Sequence, residues 1–101
     1  MKCDPNDTEA VVDETMVVAA RAFSIPYRSA IASKHRKAVA ARAATMVYAT
    51  FEVGHTLESV ADAMDMDHST VAYHRGRHEA RLRDEPMYRS AWDELTGELD
   101  E

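Results

Sequence analysis

The sequence predicts an all-α protein, a compact helical bundle of about five to six helices containing a helix-turn-helix. Three observations carry this. Apolar residues recur at helical spacing through most of the chain, and no strand-like alternation survives a pass along it. The composition is 46% hydrophobic and rich in Ala, with only three Gly and three Pro to interrupt helices. Two short helical patterns then meet between Thr56 and Leu82 with the spacing of a helix-turn-helix. A chain of 101 residues has room for one core, so a single domain over 1–101 is expected.

The elements follow in order. Asp7 or Thr8 caps a first helix running to about Phe23, with Val11, Val12, Thr15, Val18, Ala19 and Ala22 as its apolar stripe. Ser24-Ile25-Pro26 breaks it, and Pro26 opens a short second helix. Lys34-His35-Arg36-Lys37 reads as a basic loop. A third helix from about Ala38 to Val53 should bury Val39, Ala43, Met46, Val47 and Phe51. Gly54 suits the left-handed residue that ends a helix. Thr56 is a good N-cap for the next one, and Glu58 puts negative charge in its first turn. Leu57, Val60, Ala61 and Met64 share its inner face. Ala61 is small where two helices crossing at roughly 90–120° would touch. Asp65 takes the tight-turn site where Gly is usual, since Asp tolerates the left-handed region better than most residues. Met66 is the apolar plug of the turn. From His68 the period resumes, with Val71, His74 or Arg75, His78 and Leu82 on one side, so the helix-turn-helix spans 56–83. Asp84-Glu85-Pro86 restarts the chain as an acidic C-terminal helix over 86–99, with Tyr88, Ala91, Trp92, Leu95 and Leu99 inside.

Composition and charge narrow the function. Cys3 is the only cysteine, which excludes an internal disulfide and a Cys-based zinc site. A signal peptide and a long apolar run are both missing from the sequence, so a cytoplasmic protein without a membrane partner is expected. The net charge of −6 hides strong segregation. Residues 1–14 hold five acids and one base (−4), and 15–51 hold six bases and no acid (+6). Residues 52–74 hold five acids (−5), 75–83 four bases and one acid (+3), and 84–101 seven acids and one base (−6). Two basic blocks thus flank the turn motif. Affinity for a polyanion depends on such local patches rather than on the total. The acidic ends read as solubilising tails or partner surfaces.

The residues of the turn motif carry a resemblance. Asp67-His68-Ser69-Thr70-Val71 matches the signature Asp-His-Thr-Thr-Val of the C-terminal DNA-binding domain of the bacterial chromosomal replication initiator family. Thr56-Leu57 matches that family's Ser-Leu, Ala41-Arg42 opens the long helix as its Ala-Arg-Gln does, and Phe23-Ser24-Ile25 resembles its Phe-Gly-Val. The likeness covers about Ala22 to Leu82 and runs without a gap from Ala41 to Val71. It implies a monomeric reader of a short asymmetric duplex box. The Asp-His-Thr-Thr run would lie in the major groove and the basic loop in the adjacent minor groove.

The chemistry of each residue fits those roles. Ionised Asp67 accepts only, so it can take a proton from a cytosine or adenine amino group; it also stands at an N-cap, where capping is a competing role. His68 can donate to a purine N7, and Ser69 and Thr70 can bond bases or phosphates, with the Thr70 methyl on a thymine methyl. Lys34, Arg36, Lys37 and Arg42 are candidate phosphate contacts, or one of them a minor-groove probe. Thr56, Tyr73, Arg75 and Arg77 complete the expected backbone contacts. Catalytic residues, metal ligands, a cofactor and a small-molecule substrate are not expected.

Departures shape the expected process. Ala40 stands where the family's basic loop has its minor-groove Arg. Ser69 replaces Thr, Tyr73 replaces His, and His78 stands in place of an aliphatic residue, so the target box should differ from the origin box. The glycine-rich phosphate loop of the family's ATPase has no counterpart here. A reader without it can recruit, block or compete, which suits the DNA-reading domain of a transcription activator. Modules of this kind occur N-terminally in phage-derived regulators and gene transfer agent activators. A truncated N-terminal domain of that kind is expected, with promoter DNA as partner and RNA polymerase or another domain of the same protein as a second. Three rivals stay open. One is a replication or origin-binding accessory protein. Another is a non-DNA interaction module using the acidic tails and helical faces. The third is a metal enzyme built on His74-x-x-x-His78, which lacks a third ligand.

Overall fold

The computed structural model describes residues 3–100; Met1, Lys2 and Glu101, where the acidic segment ends, lie outside the described residues. Helix α1 (Thr8–Ala22) starts where the Asp7 carboxylate accepts from the Ala10 amide at 3.2 Å. It ends in a left-handed cap. Ser24 has φ 59°, its amide bonds to the Arg21 carbonyl, and the Ile25 amide reaches back to the Ala20 carbonyl. This paired bonding is a Schellman cap built on Ser rather than Gly. Pro26 then opens α2 (Tyr27–Ala32).

Helix α3 (Arg36–Val47) is the axle of the fold. It begins two residues before the expected Ala38, because the His35 ring acts as the cap and its Nδ1 accepts from the Lys37 amide at 3.3 Å. The basic segment is therefore half loop and half first turn. Every residue from Ala43 to Thr50 is buried, so the end of the helix and the turn that follows are enclosed on all sides. Ala38, Ala41, Ala43, Ala44 and Ala49 let its neighbours approach closely. The helix does not run on as α-helix to Val53. Residues Tyr48–Val53 form a π-helical turn, closed by Gly54 at φ 97°. The Thr50 hydroxyl donates to the Met46 carbonyl at 2.8 Å beside this widened turn. Phe51, expected in the core, is 53% exposed. In α-helical phase it would stack under Ala44 and Val47; the extra residue per turn rotates it out.

Helices α4 (Leu57–Ala63) and α5 (His68–Asp84) form the helix-turn-helix. The Thr56 hydroxyl accepts from the Ser59 amide at 3.1 Å, as an N-cap should. Asp65 has φ 53°, and the Met66 amide bonds the Ala61 carbonyl at 2.8 Å, which is a second Schellman cap. Met66 packs on a cluster of Val11, Val12, Met46, Ala49, Val60, Ala61 and Val71. This cluster docks the motif on α1 and the end of α3. Helix α6 (Pro86–Leu99), with Pro86 in its first turn, closes the other side of the core. Its Tyr88, Ala91, Trp92, Leu95 and Leu99 pack against Met16, Phe23, Ala44 and Val47. Among the described residues the chain is all-helical, in six α-helices plus the π-helical turn, and no helix is long and apolar enough to cross a membrane.

Ser24 pays for its left-handed conformation, which costs a non-Gly residue about 1–2 kcal/mol, partly offset in a Gly variant by chain entropy. Ser24→Gly should therefore stabilise the domain by roughly 0.5–1 kcal/mol. Urea unfolding of the two proteins measures this, and a lower midpoint for the variant would contradict it.

Candidate functional site

The outward face of α5 begins with its cap. Asp67 has the extended backbone of an N-cap, yet its side chain makes no capping bond. The cap competes with base contact only if the carboxylate engages the helix, and here it is exposed and makes no capping bond. His68 and Ser69 are exposed and Thr70 is half-buried. Further along, Ala72, Tyr73, Gly76 and Arg77 are exposed, with Tyr73 at 59%. The centre of this face, Ser69, Ala72 and Gly76, is nearly flat. A Cβ added at Gly76 would meet nothing within 4 Å, so no neighbour in the fold requires a glycine there.

The cations divide between the two flanks of α5. On one flank, Tyr73, Arg77 and Arg81 share a groove of about 1050 Å³ with Lys34, Arg36 and Lys37. Its floor includes Phe23, Val39 and Ala40, and Asp84 and Glu85 stand at one end. The first turn of α3 holds no acid. Its orphan amides and the two cations thus add to one positive potential, which is unfavourable in the free protein and favourable beside an anion. On the opposite flank, about half a helical turn away, the Arg75 guanidinium lies over the Phe51 ring at 4.2 Å. Two sequence-predicted contacts stand apart from this arrangement. Arg42 is half-buried and its Nη1 donates to the Ala30 carbonyl at 2.7 Å, closing the end of α2. The Thr56 hydroxyl is occupied with Ser59. Both have structural roles that compete with phosphate contact.

The inner face of α5 fixes the angle at which the outer face is shown. His78 Nδ1 shares a 2.9 Å hydrogen bond with the Tyr88 hydroxyl, and its ring meets Trp92 edge-on at 4.4 Å. His74 Nδ1 lies 3.0 Å from Arg81 Nη1. A guanidinium only donates, so this nitrogen accepts and carries no proton. Burial, then the charges of Arg81 and Arg42, push His74 down to about 4. Burial likewise lowers His78. The paired-histidine spacing is thus spent on packing, and no group of three or more potential metal ligands gathers among the described residues.

Sequence reasoning missed two features of this site. Phe51 was legible only as a core residue, because nothing in the sequence announces the π-helical turn. Gly76, an interior helical glycine, is visible in the sequence and acquires meaning only once its surroundings are seen to be empty. No family model matches the chain, and no curated protein matches it either.

The two histidines make stability depend on pH. In the unfolded chain they titrate near 6.5, whereas folded His74 stays neutral down to about 4. As pH falls through that window, the unfolded state takes up protons that the folded state refuses, so stability is lost. The urea midpoint should drop between about pH 7 and about pH 5, and His74→Leu should make the drop shallower. A midpoint constant over that range would show that neither ring is held neutral.

Proposed function

We propose that this chain reads double-stranded DNA sequence-specifically, as the DNA-reading domain of a bacterial transcription activator acting in the cytoplasm. The observation that carries the reading is the arrangement around α5. A run of hydrogen-bonding side chains, exposed from Asp67 to Ser69 and half-buried at Thr70, heads a flat helix face, and cations from different parts of the chain stand on both flanks. A duplex presents base edges in the major groove between two rows of phosphates, and this face complements that pattern. The resemblance to the replication-initiator DNA-binding domain supports the same reading. Ser24 and Asp65 adopt positive φ at the two sites where glycine was expected from the family and from turn chemistry. A reading domain of this kind acts by occupying its box, and recruitment of polymerase at a promoter is the output we assign to it.

Selection of bound sequences from a random duplex pool tests the proposal directly. Against the selected box, His68→Ala and Thr70→Ala should each weaken binding by about 1–3 kcal/mol with helical content unchanged. Full affinity in both variants would remove the reading head. Replacing Arg36 and Lys37 by Ala should weaken specific and mixed-sequence DNA alike, lowering the slope of log affinity against log salt by about 0.9 per lost phosphate contact. In cells, occupancy confined to a replication origin, with transcription unchanged, would replace the activator role by a replication role.

Gly76 supplies an independent check. An exposed glycine inside a helix costs about 1 kcal/mol relative to Ala, and both Gly76 and Gly97 have open space for a side chain. Gly76→Ala and Gly97→Ala should each raise the urea midpoint. Gly76→Leu should weaken DNA binding, while Gly97→Leu on α6 leaves it unchanged. Equal effects at the two positions would place Gly76 outside the interface.

A further inference from the structure

Arg75 is held in an unusual way. Elsewhere on α5, Arg81 bonds His74 and lies 5.9 Å from the Tyr88 ring, Arg83 bonds Asp84, and Arg77 has neither a hydrogen-bond partner nor a ring beneath it among the described residues. Arg75 makes no hydrogen bond or ion pair among the described residues, and its Nε is buried without a partner. Glu79 stands one turn further along and does not pair with it. The guanidinium carbon lies 4.2 Å from the centroid of the Phe51 ring. Phe51 in turn is half-exposed only because the π-helical turn rotates it out of the core. An apolar ring brought to the surface, and a cation laid on it with its donors unspent, gain little for the fold by themselves.

We propose that Phe51 is a positioning residue, which holds the Arg75 guanidinium against the flank of α5 so that its free donors meet one DNA phosphate. This rests on the DNA reading above and adds to it a residue and a role. Stacking on the ring, with Nε buried, leaves the Nη donors of the guanidinium for a charge-assisted hydrogen bond. It also removes rotamer freedom before binding, so less entropy is lost on contact. On the opposite flank the Lys34–Lys37 segment needs no such device, because its backbone is already anchored by the start of α3.

The test is a double-mutant cycle on duplex binding, with the box enriched from a random pool and a mixed-sequence duplex as probes. Phe51→Leu keeps an apolar side chain of similar size at an exposed site and removes the aromatic face. It should weaken both probes about two- to fivefold. Arg75→Ala should lower the salt slope by about 0.9. In the Arg75→Ala background, Phe51→Leu should have no further effect, and Phe51→Trp alone should bind as the wild type does. Circular dichroism and the urea midpoint show whether each variant folds. If Phe51→Leu is neutral, or still weakens binding when Arg75 is absent, Phe51 does not act through Arg75 and the inference falls while the DNA reading stands. A wild-type chain that binds neither duplex overturns both.

Discussion

The enclosure of α3 is the constraint on which the rest of the structure depends. A helical segment buried on every side can be approached closely only where its side chains are small, and Ala41, Ala43, Ala44 and Ala49 supply those points. Larger side chains would force the neighbours apart or off their preferred rotamers. Its buried polar residues are chosen for the same reason. Thr45 and Thr50 return their hydroxyls to carbonyls of their own helix, so neither needs a partner from outside. Around this axle the chain divides into two clusters. One joins α1, α2, α3 and α6; the other joins α1, the end of α3, α4 and α5. The helix-turn-helix is thus seated on a rigid surface, and its turn is fixed by Met66 reaching into the second cluster.

Helix α5 is held from behind by aromatic and polar groups of α6. His78 bridges to Tyr88 and Trp92 of α6, while His74 accepts from Arg81 within α5 itself. These contacts specify orientation more sharply than aliphatic packing would, because each requires a particular ring edge and a particular proton. They also explain the value of the acidic final helix. Its inner face braces α5, while Asp93, Glu94 and Glu98 face outward and Glu98 pairs with Arg21 at 2.6 Å. That pair is exposed and adds little to stability. The chain is acidic overall and still gathers Lys34, Arg36, Lys37, Arg77 and Arg81 around one groove.

Three features around the outer face of α5 run against the stability of the free protein. Cations at the start of α3 oppose its dipole, an interior glycine weakens α5, and a phenylalanine is turned to the surface beneath an arginine. Each is locally unfavourable, and local rules of this kind are broken at functional or strained places in a fold.

The sequence by itself determined the order of the helices and their number to within one, a first cap at Asp7 or Thr8, the caps at Gly54 and Thr56, the left-handed turn at Asp65, and the inner face of α6. These depend on local chemistry: periodicity, capping oxygens and tolerance of positive φ act within a few residues and can be read there. The exposed face from Asp67 to Arg77 was legible for the same reason. Only the tertiary structure decided that His35 caps α3, that Arg42 serves α2, and that the basic segment shares a groove with Tyr73 and Arg77. It alone turned Phe51 outward onto Arg75, because a π-helical turn arises from how the end of α3 must fit its neighbours. A count of residues assumes constant phase, and a single widened turn is enough to carry every later side chain to a different face.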